Sequence, residues 1–93
     1  MTLDADCAWE AGFTRRGDTW IPPLHWLMDG GALPPFSTDY SAARLLEDEI
    51  ERRGLDMQYV KHLQVIIGSS AKWHLLRATP EQRARAFLKA VEQ

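Results

Sequence analysis

The run LPPFSTDYSAARLL, Leu33 to Leu46, sets Ser37, Thr38 and Asp39 side by side behind two prolines and an aromatic residue. Hydroxyls next to a carboxylate could serve acyl transfer, phosphate capture, or only the start of a helix. A serine nucleophile needs a general base and an oxyanion site, and no G-x-S-x-G elbow surrounds Ser37. A helix N-terminus attracts anions, but the Asp39 carboxylate would repel a phosphate there. The economical reading is capping. Each of the three side chains can accept from the free N–H groups of a first turn, a contribution of about 1 kcal/mol. No catalytic residue is assigned.

Cys7, His25, His62 and His74 are the residues that could ligate a transition metal. No two of them have the close C-x2-C or H-x3-H spacing of a zinc site. Neither a GxGxxG fingerprint nor a Walker A loop is present, so the sequence points to no metal and no cofactor.

Aromatic and arginine side chains are the stronger candidates. Trp20, Trp26, Phe36 and Tyr40 crowd into one proline-rich stretch, and Arg77, Arg83 and Arg85 follow near the other end. The aromatics could be the lid of a small core. They could instead stay exposed as an interface hot spot, where Trp, Tyr and Arg dominate. A third arrangement stacks a nucleotide base on an aromatic ring while Arg77 or Arg83 pairs with its phosphate. The binding candidates are therefore Trp20, Trp26, Tyr40, Arg77, Arg83 and Arg85. On a terminal helix, Glu81 and Arg85 pair at i, i+4 while Arg85 and Lys89 repel, and an acidic partner would relieve that repulsion.

The elements that must position these residues are legible to different degrees. Thr2 can cap a helix to about Ala11, with Asp4 and Asp6 in its first turn, Leu3, Cys7 and Ala11 on one side, and Gly12 to stop it. Residues 13–36 read as irregular, with turn chemistry at RRGDTW and DGGA and a short helical turn or strand at LHWLM. From Tyr40 the pattern is helical, ending with Arg52 and Arg53 in the last turn and Gly54 beyond. Leu55 to Ile67 admits a helix sharing Tyr59, Val60, Leu63, Ile66 and Ile67 on one face, or a strand alternating at Leu63, Val65 and Ile67. The helix is favoured. AKWHLLRA alternates as a strand. Thr79-Pro80-Glu81-Gln82 has the arrangement of a capping box and opens a helix to about Val91.

With 93 residues and 45% apolar composition, residues 1–93 form one domain around a single small core. The net charge of −2 lacks the electrostatic footprint of a nucleic-acid binder, and no helix-turn-helix carries a basic recognition helix. One cysteine suits a reducing compartment. The start MTLDADCAWEAG has no signal-peptide pattern, and no apolar run approaches the ~20 residues of a membrane helix. The expectation is a cytoplasmic protein with no membrane contact.

The LPPFSTDYSAARLL run, followed by RATPEQRARAFLKAV, resembles the small phage and prophage proteins of the phage ABA sandwich domain family. Trp20, Pro35, Phe36, Ser37, Thr38, Asp39, Ala43, Thr79 and Pro80 stand where that pattern puts them, and the resemblance spans about residues 3 to 92. The departure is in the middle, where the family offers two or more strands and this chain patterns as helix. The family has no generally established activity, so the resemblance implies a source, the cytoplasm of an infected or lysogenic bacterium, more than a mechanism.

These readings combine to an α+β domain of about three helices packed on a short antiparallel sheet or single strand. The function expected is non-enzymatic: a phage accessory protein that binds and blocks a host protein, a component of a bacterial defence system. The alternative is a sponge for an anionic nucleotide signal, which needs a concave site joining Trp26 or Trp73 to an arginine.

Overall fold

The structure is a computed structural model and describes residues 2–92. It contains five α-helices, one 3-10 turn and a two-stranded antiparallel sheet among those residues.

Helix α1, Leu3–Ala11, begins where Thr2 Oγ1 accepts from the Ala5 N–H at 3.2 Å. It buries Ala5, Cys7, Ala8 and Ala11. Strands β1, Thr14–Arg16, and β2, Thr19–Ile21, pair with Arg15 opposite Trp20. Trp20 then bridges to Gly31, with Trp20 N–H donating to Gly31 O at 2.7 Å and Gly31 N–H to Trp20 O at 2.9 Å. That bridge folds the long proline-rich stretch back onto the hairpin. Between them lies the 3-10 turn, Leu24–Trp26.

Helix α2, Tyr40–Arg53, is capped by Asp39, whose Oδ1 accepts from Ser41 N–H at 2.7 Å and Ala42 N–H at 3.3 Å. Of the three candidate caps, then, Asp39 is the one that acts. Ser37 contributes its backbone instead, donating to Asp4 Oδ1 of α1 at 2.7 Å. Gly54, at φ 71, ends α2 in the left-handed region that a side chain would resist.

Helix α3 spans Asp56–Ile67, α4 spans Lys72–Leu76, and α5 spans Pro80–Val91. The capping box of α5 is complete: Gln82 N–H donates to Thr79 Oγ1 at 3.1 Å, and Thr79 N–H donates to Gln82 Oε1 at 2.9 Å. Thr79→Ala is expected to lower stability by about 1 kcal/mol, read as an earlier midpoint in urea denaturation with an unchanged slope.

Helix α5 is central. Ala84, Ala86, Phe87 and Ala90 have no solvent exposure, and α5 packs against α1, α2 and α3. Phe36 fills the other half of the core, set edge-on to Phe13 and Trp26 at ring separations of 6.2 Å each.

Two expectations are corrected. Residues 71–78 are not a strand but hold α4, because no strand lies beside them to pair with; the one sheet among the described residues is β1–β2. Ser69 Oγ accepts from Ala71 N–H at 3.1 Å and shares a hydrogen bond with His74 Nδ1 at 2.7 Å, which winds the segment into a helical turn. Leu75 packs on the core while Trp73, Leu76 and Arg77 lie outward at i, i+3, i+4. The strands lie instead at 14–21, in the stretch read as irregular, where three residues apiece are too few to show alternation. The helix count accordingly rises from about three to five, with 55–67 resolved as helix.

Candidate functional site

The acidic run on α2 contains Glu47, Asp48, Glu49 and Glu51, and the helical period turns only Glu49 fully inward, beside Leu46 and Ile50. Glu49 is 2% exposed, the one charged side chain fully buried among the described residues. An isolated carboxylate there would be prohibitively costly, so the structure surrounds it with donors.

Arg52 and Arg53 sit at i+3 and i+4 and reach back along the helix. Oε2 accepts from Arg52 Nη2 and Arg53 Nε, both at 2.6 Å, and Oε1 accepts from Arg52 Nε at 3.2 Å. The other two donors cross from the 3-10 turn: Trp26 Nε1–H at 2.9 Å and His25 Nε2 at 2.8 Å, both to Oε1. An ionised carboxylate only accepts, which places the His25 proton on Nε2. Burial pushes the Glu49 pKa up, but the bonds from Arg52, Arg53, His25 and Trp26 outweigh it and hold the carboxyl well below the usual range. Arg53 also donates through Nη2 to Glu10 O at 2.8 Å, tying the end of α1 into the cluster. A carboxylate this saturated makes a poor general base. It acts as a clamp.

What the clamp holds is a turn with its apolar residues facing out. His25 and Trp26 point inward to Glu49, while Leu24 on one side is 95% exposed and Leu27 on the other is 93% exposed. Leu27 adopts φ 50, ψ 40, a left-handed conformation that a bulky side chain resists. Such strain, of order 1–3 kcal/mol, persists only where surroundings over-determine it. Here they do: Pro22-Pro23 stiffens the approach, Trp26 N–H donates to Pro23 O at 3.0 Å, and the Glu49 bonds fix the middle. Trp26 also meets Phe13 edge-on at 5.0 Å.

A second cluster joins α2, α3 and α5. Arg83 Nη1 donates to Glu47 Oε1 at 3.0 Å and Oε2 at 3.2 Å, and Tyr59 Oη donates to Glu47 Oε2 at 2.6 Å. Arg83 Nε and Nη2 serve the carbonyls of Ala78 and Leu76 at 2.9 and 3.0 Å. Burial first, and the Glu47 carboxylate second, push the Tyr59 hydroxyl far up. Cys7 is buried too, its thiol pushed up to about 12 by burial and by Asp4 and Asp6, so it stays an inert core thiol.

The six residues singled out in the sequence do not converge. Trp20 is buried, edge-on to Trp9 at 5.1 Å, with the Arg15 guanidinium 5.5 Å from its ring. Trp26 is half-buried in the Glu49 clamp. Tyr40 is exposed, and Arg83 lies over its ring at 5.6 Å with its other donors engaged internally. Arg77 covers the ring of exposed Trp73 at 5.0 Å, and Arg85 pairs with Glu81 at 3.2 Å on the surface. Only Tyr40 and Arg83 come together. Cys7, His25, His62 and His74 do not gather either: no group of three or more metal-ligating side chains exists among the described residues.

The chain matches no family model, no curated protein and no solved structure. No described helix is long and apolar enough to cross a membrane.

Leu24, Leu27 and Glu49 were not evident as site residues in the sequence, and His25 stood out there only as a possible metal ligand. The i+3 and i+4 arginines behind Glu49 were a usable signal for a clustered carboxylate. Nothing in the sequence shows that two leucines beside a tryptophan face water.

Proposed function

We propose that this chain is a non-enzymatic binding protein that seats its Leu24–Leu27 turn in an apolar pocket of a partner protein and blocks it. The observation that carries this reading is the pairing of two almost fully exposed leucines with a buried-charge clamp between them. A single exposed leucine means little. Two of them, held rigidly on a strained turn, form a preorganised anchor, and preorganisation lowers the cost of association.

The likeness of the PFSTD and TPEQ segments to phage ABA sandwich proteins supports a source: a phage or prophage accessory protein in the cytoplasm of its bacterial host. The partner proposed in that setting is a host protein, a component of a defence system. The nucleotide-sponge reading has one feature in its favour, a cleft where Trp26 and Arg52 meet. At about 160 Å³ that cleft is smaller than the roughly 300–1,000 Å³ of small-molecule sites, so protein binding is preferred.

Native mass spectrometry after incubation with host lysate tests the reading, with Leu24→Asp/Leu27→Asp as comparator. Wild type is expected to gain a protein-sized mass and the double variant to bind at least about tenfold more weakly, with unchanged circular dichroism. A gain of nucleotide size, or equal capture by both forms, would sink the proposal.

A further inference from the structure

The 13 carboxylates of the chain all lie outside Met57–Ala78, although the net charge is −2. Within that interval stand Lys61, Lys72 and Arg77, and none of the three makes an ion pair among the described residues. The same interval carries a second set of exposed apolar side chains. On α3, Met57 is 84% and Val65 76% exposed, and Lys61 lies between them at i+4. On α4, which packs beside α3, Trp73 and Leu76 are 56% and 71% exposed. An open depression of about 900 Å³ runs along α3, with Asp56 at one end, Lys61 near its middle and Val65 at the other end.

Each part has an ordinary explanation alone, since surface lysines are solvated and isolated exposed apolar residues are common. The combination is less ordinary. Met57 and Val65, two turns apart with Lys61 between them on a helix about 18 Å long, are spaced to meet one amphipathic helix. The segment from α3 to the end of α4 sets the single carboxylate of Asp56, at the start of α3, against Lys61, Lys72 and Arg77, an excess of positive charge on an otherwise acidic chain. That asymmetry selects the charge of what docks.

We propose that the α3–α4 face binds an amphipathic helical segment whose polar flank is acidic. It shares with the proposed function only that the ligand is a protein, and it does not involve the Leu24–Leu27 turn. A second copy of this chain fits less well, because a two-fold pairing of α3 across the Met57–Lys61–Val65 stripe brings the two Lys61 side chains together.

The probe is a synthetic helical peptide with leucines at i, i+3, i+4 and i+7 and glutamates on its flanks, titrated against the full chain by NMR. A twin with lysine replacing each glutamate is the control. The acidic peptide is expected to shift the Met57 methyl and Trp73 indole signals saturably, and more weakly as salt rises; the basic twin is expected not to. Lys61→Glu, a surface change that leaves the core alone, should weaken the acidic peptide about threefold to tenfold and improve the basic one. Leu24→Asp/Leu27→Asp should bind the acidic peptide as wild type does, so a failed turn and a failed α3–α4 face are separable. Equal binding of both peptides would overturn the proposal. So would shifts confined to the turn, movement of these signals on dilution that reports self-association, or uptake by phosphatidylglycerol vesicles without peptide discrimination.

Discussion

Replacing Glu49 by alanine is expected to cost about 3–5 kcal/mol, because it strands the donors arranged around a buried charge. A domain of this size is stable by only about 5–14 kcal/mol, so chemical denaturation should show the loss plainly. The effect has two separable parts. Arg52 and Arg53 lose their common acceptor, and the 3-10 turn loses the bonds from His25 and Trp26 that hold it to α2. Glu49→Gln keeps the shape and removes the charge, and it supplies a pH test. Because the folded carboxyl titrates well below its ordinary value of 4.5, the unfolded chain binds the proton first as acid is added. The stabilisation from Glu49 is therefore fully present above about pH 4.5 and is lost as pH falls toward the depressed folded value. Wild type should lose stability along that acid limb, and Glu49→Gln should lose less. Parallel acid limbs for the two proteins would show that Glu49 is not the clamp described.

Phe36→Ala is expected to cost a further about 3–5 kcal/mol as a core truncation. Phe36 has no exposure and is the aromatic residue of the PFSTD string. It stands edge-on to both Phe13 and Trp26, so its removal loosens the ring that donates to Glu49. Residues sharing one network do not add independently. The Phe36→Leu/Glu49→Gln double variant should therefore lose measurably less than the two single losses combined in urea titrations. Strict additivity would mean that the aromatic set and the carboxylate cluster are unconnected.

These two residues also show what could be read from the chain. The density of LPPFSTDYSAARLL has a structural resolution: Phe36 fills the core, Asp39 caps α2, and Ser37 is pinned by Asp4 of α1. Helices α1, α2 and α5 were legible because cap and apolar spacing agree along each of them, and a glycine stops the first two. The hairpin was not, since β1 and β2 are too short for a period of two to register, and the Trp20–Gly31 bridge that closes it is non-local. Residues 72–76 misled for a related reason: five residues of mixed polarity fit either period, and only the lack of a neighbouring strand decides. Arg83 and Trp20 read as surface candidates by type alone, whereas their tertiary partners, Glu47 for one and Trp9 for the other, draw them into the structure.

The position of α5 in the chain bears on how the protein is made. Its buried alanines and Phe87 are the surface against which α1, α2 and α3 all close, yet it is synthesised after all of them. A nascent chain emerging from the ribosome must hold three apolar helix faces open until residues 80–91 arrive. The α1–α5 contact, reflected in the Cys7 thiol approaching Ala84 O at 3.6 Å, links residues far apart in sequence, and the entropy of closing so long a loop slows folding. The core therefore has its full set of packed faces only once α5 has been translated.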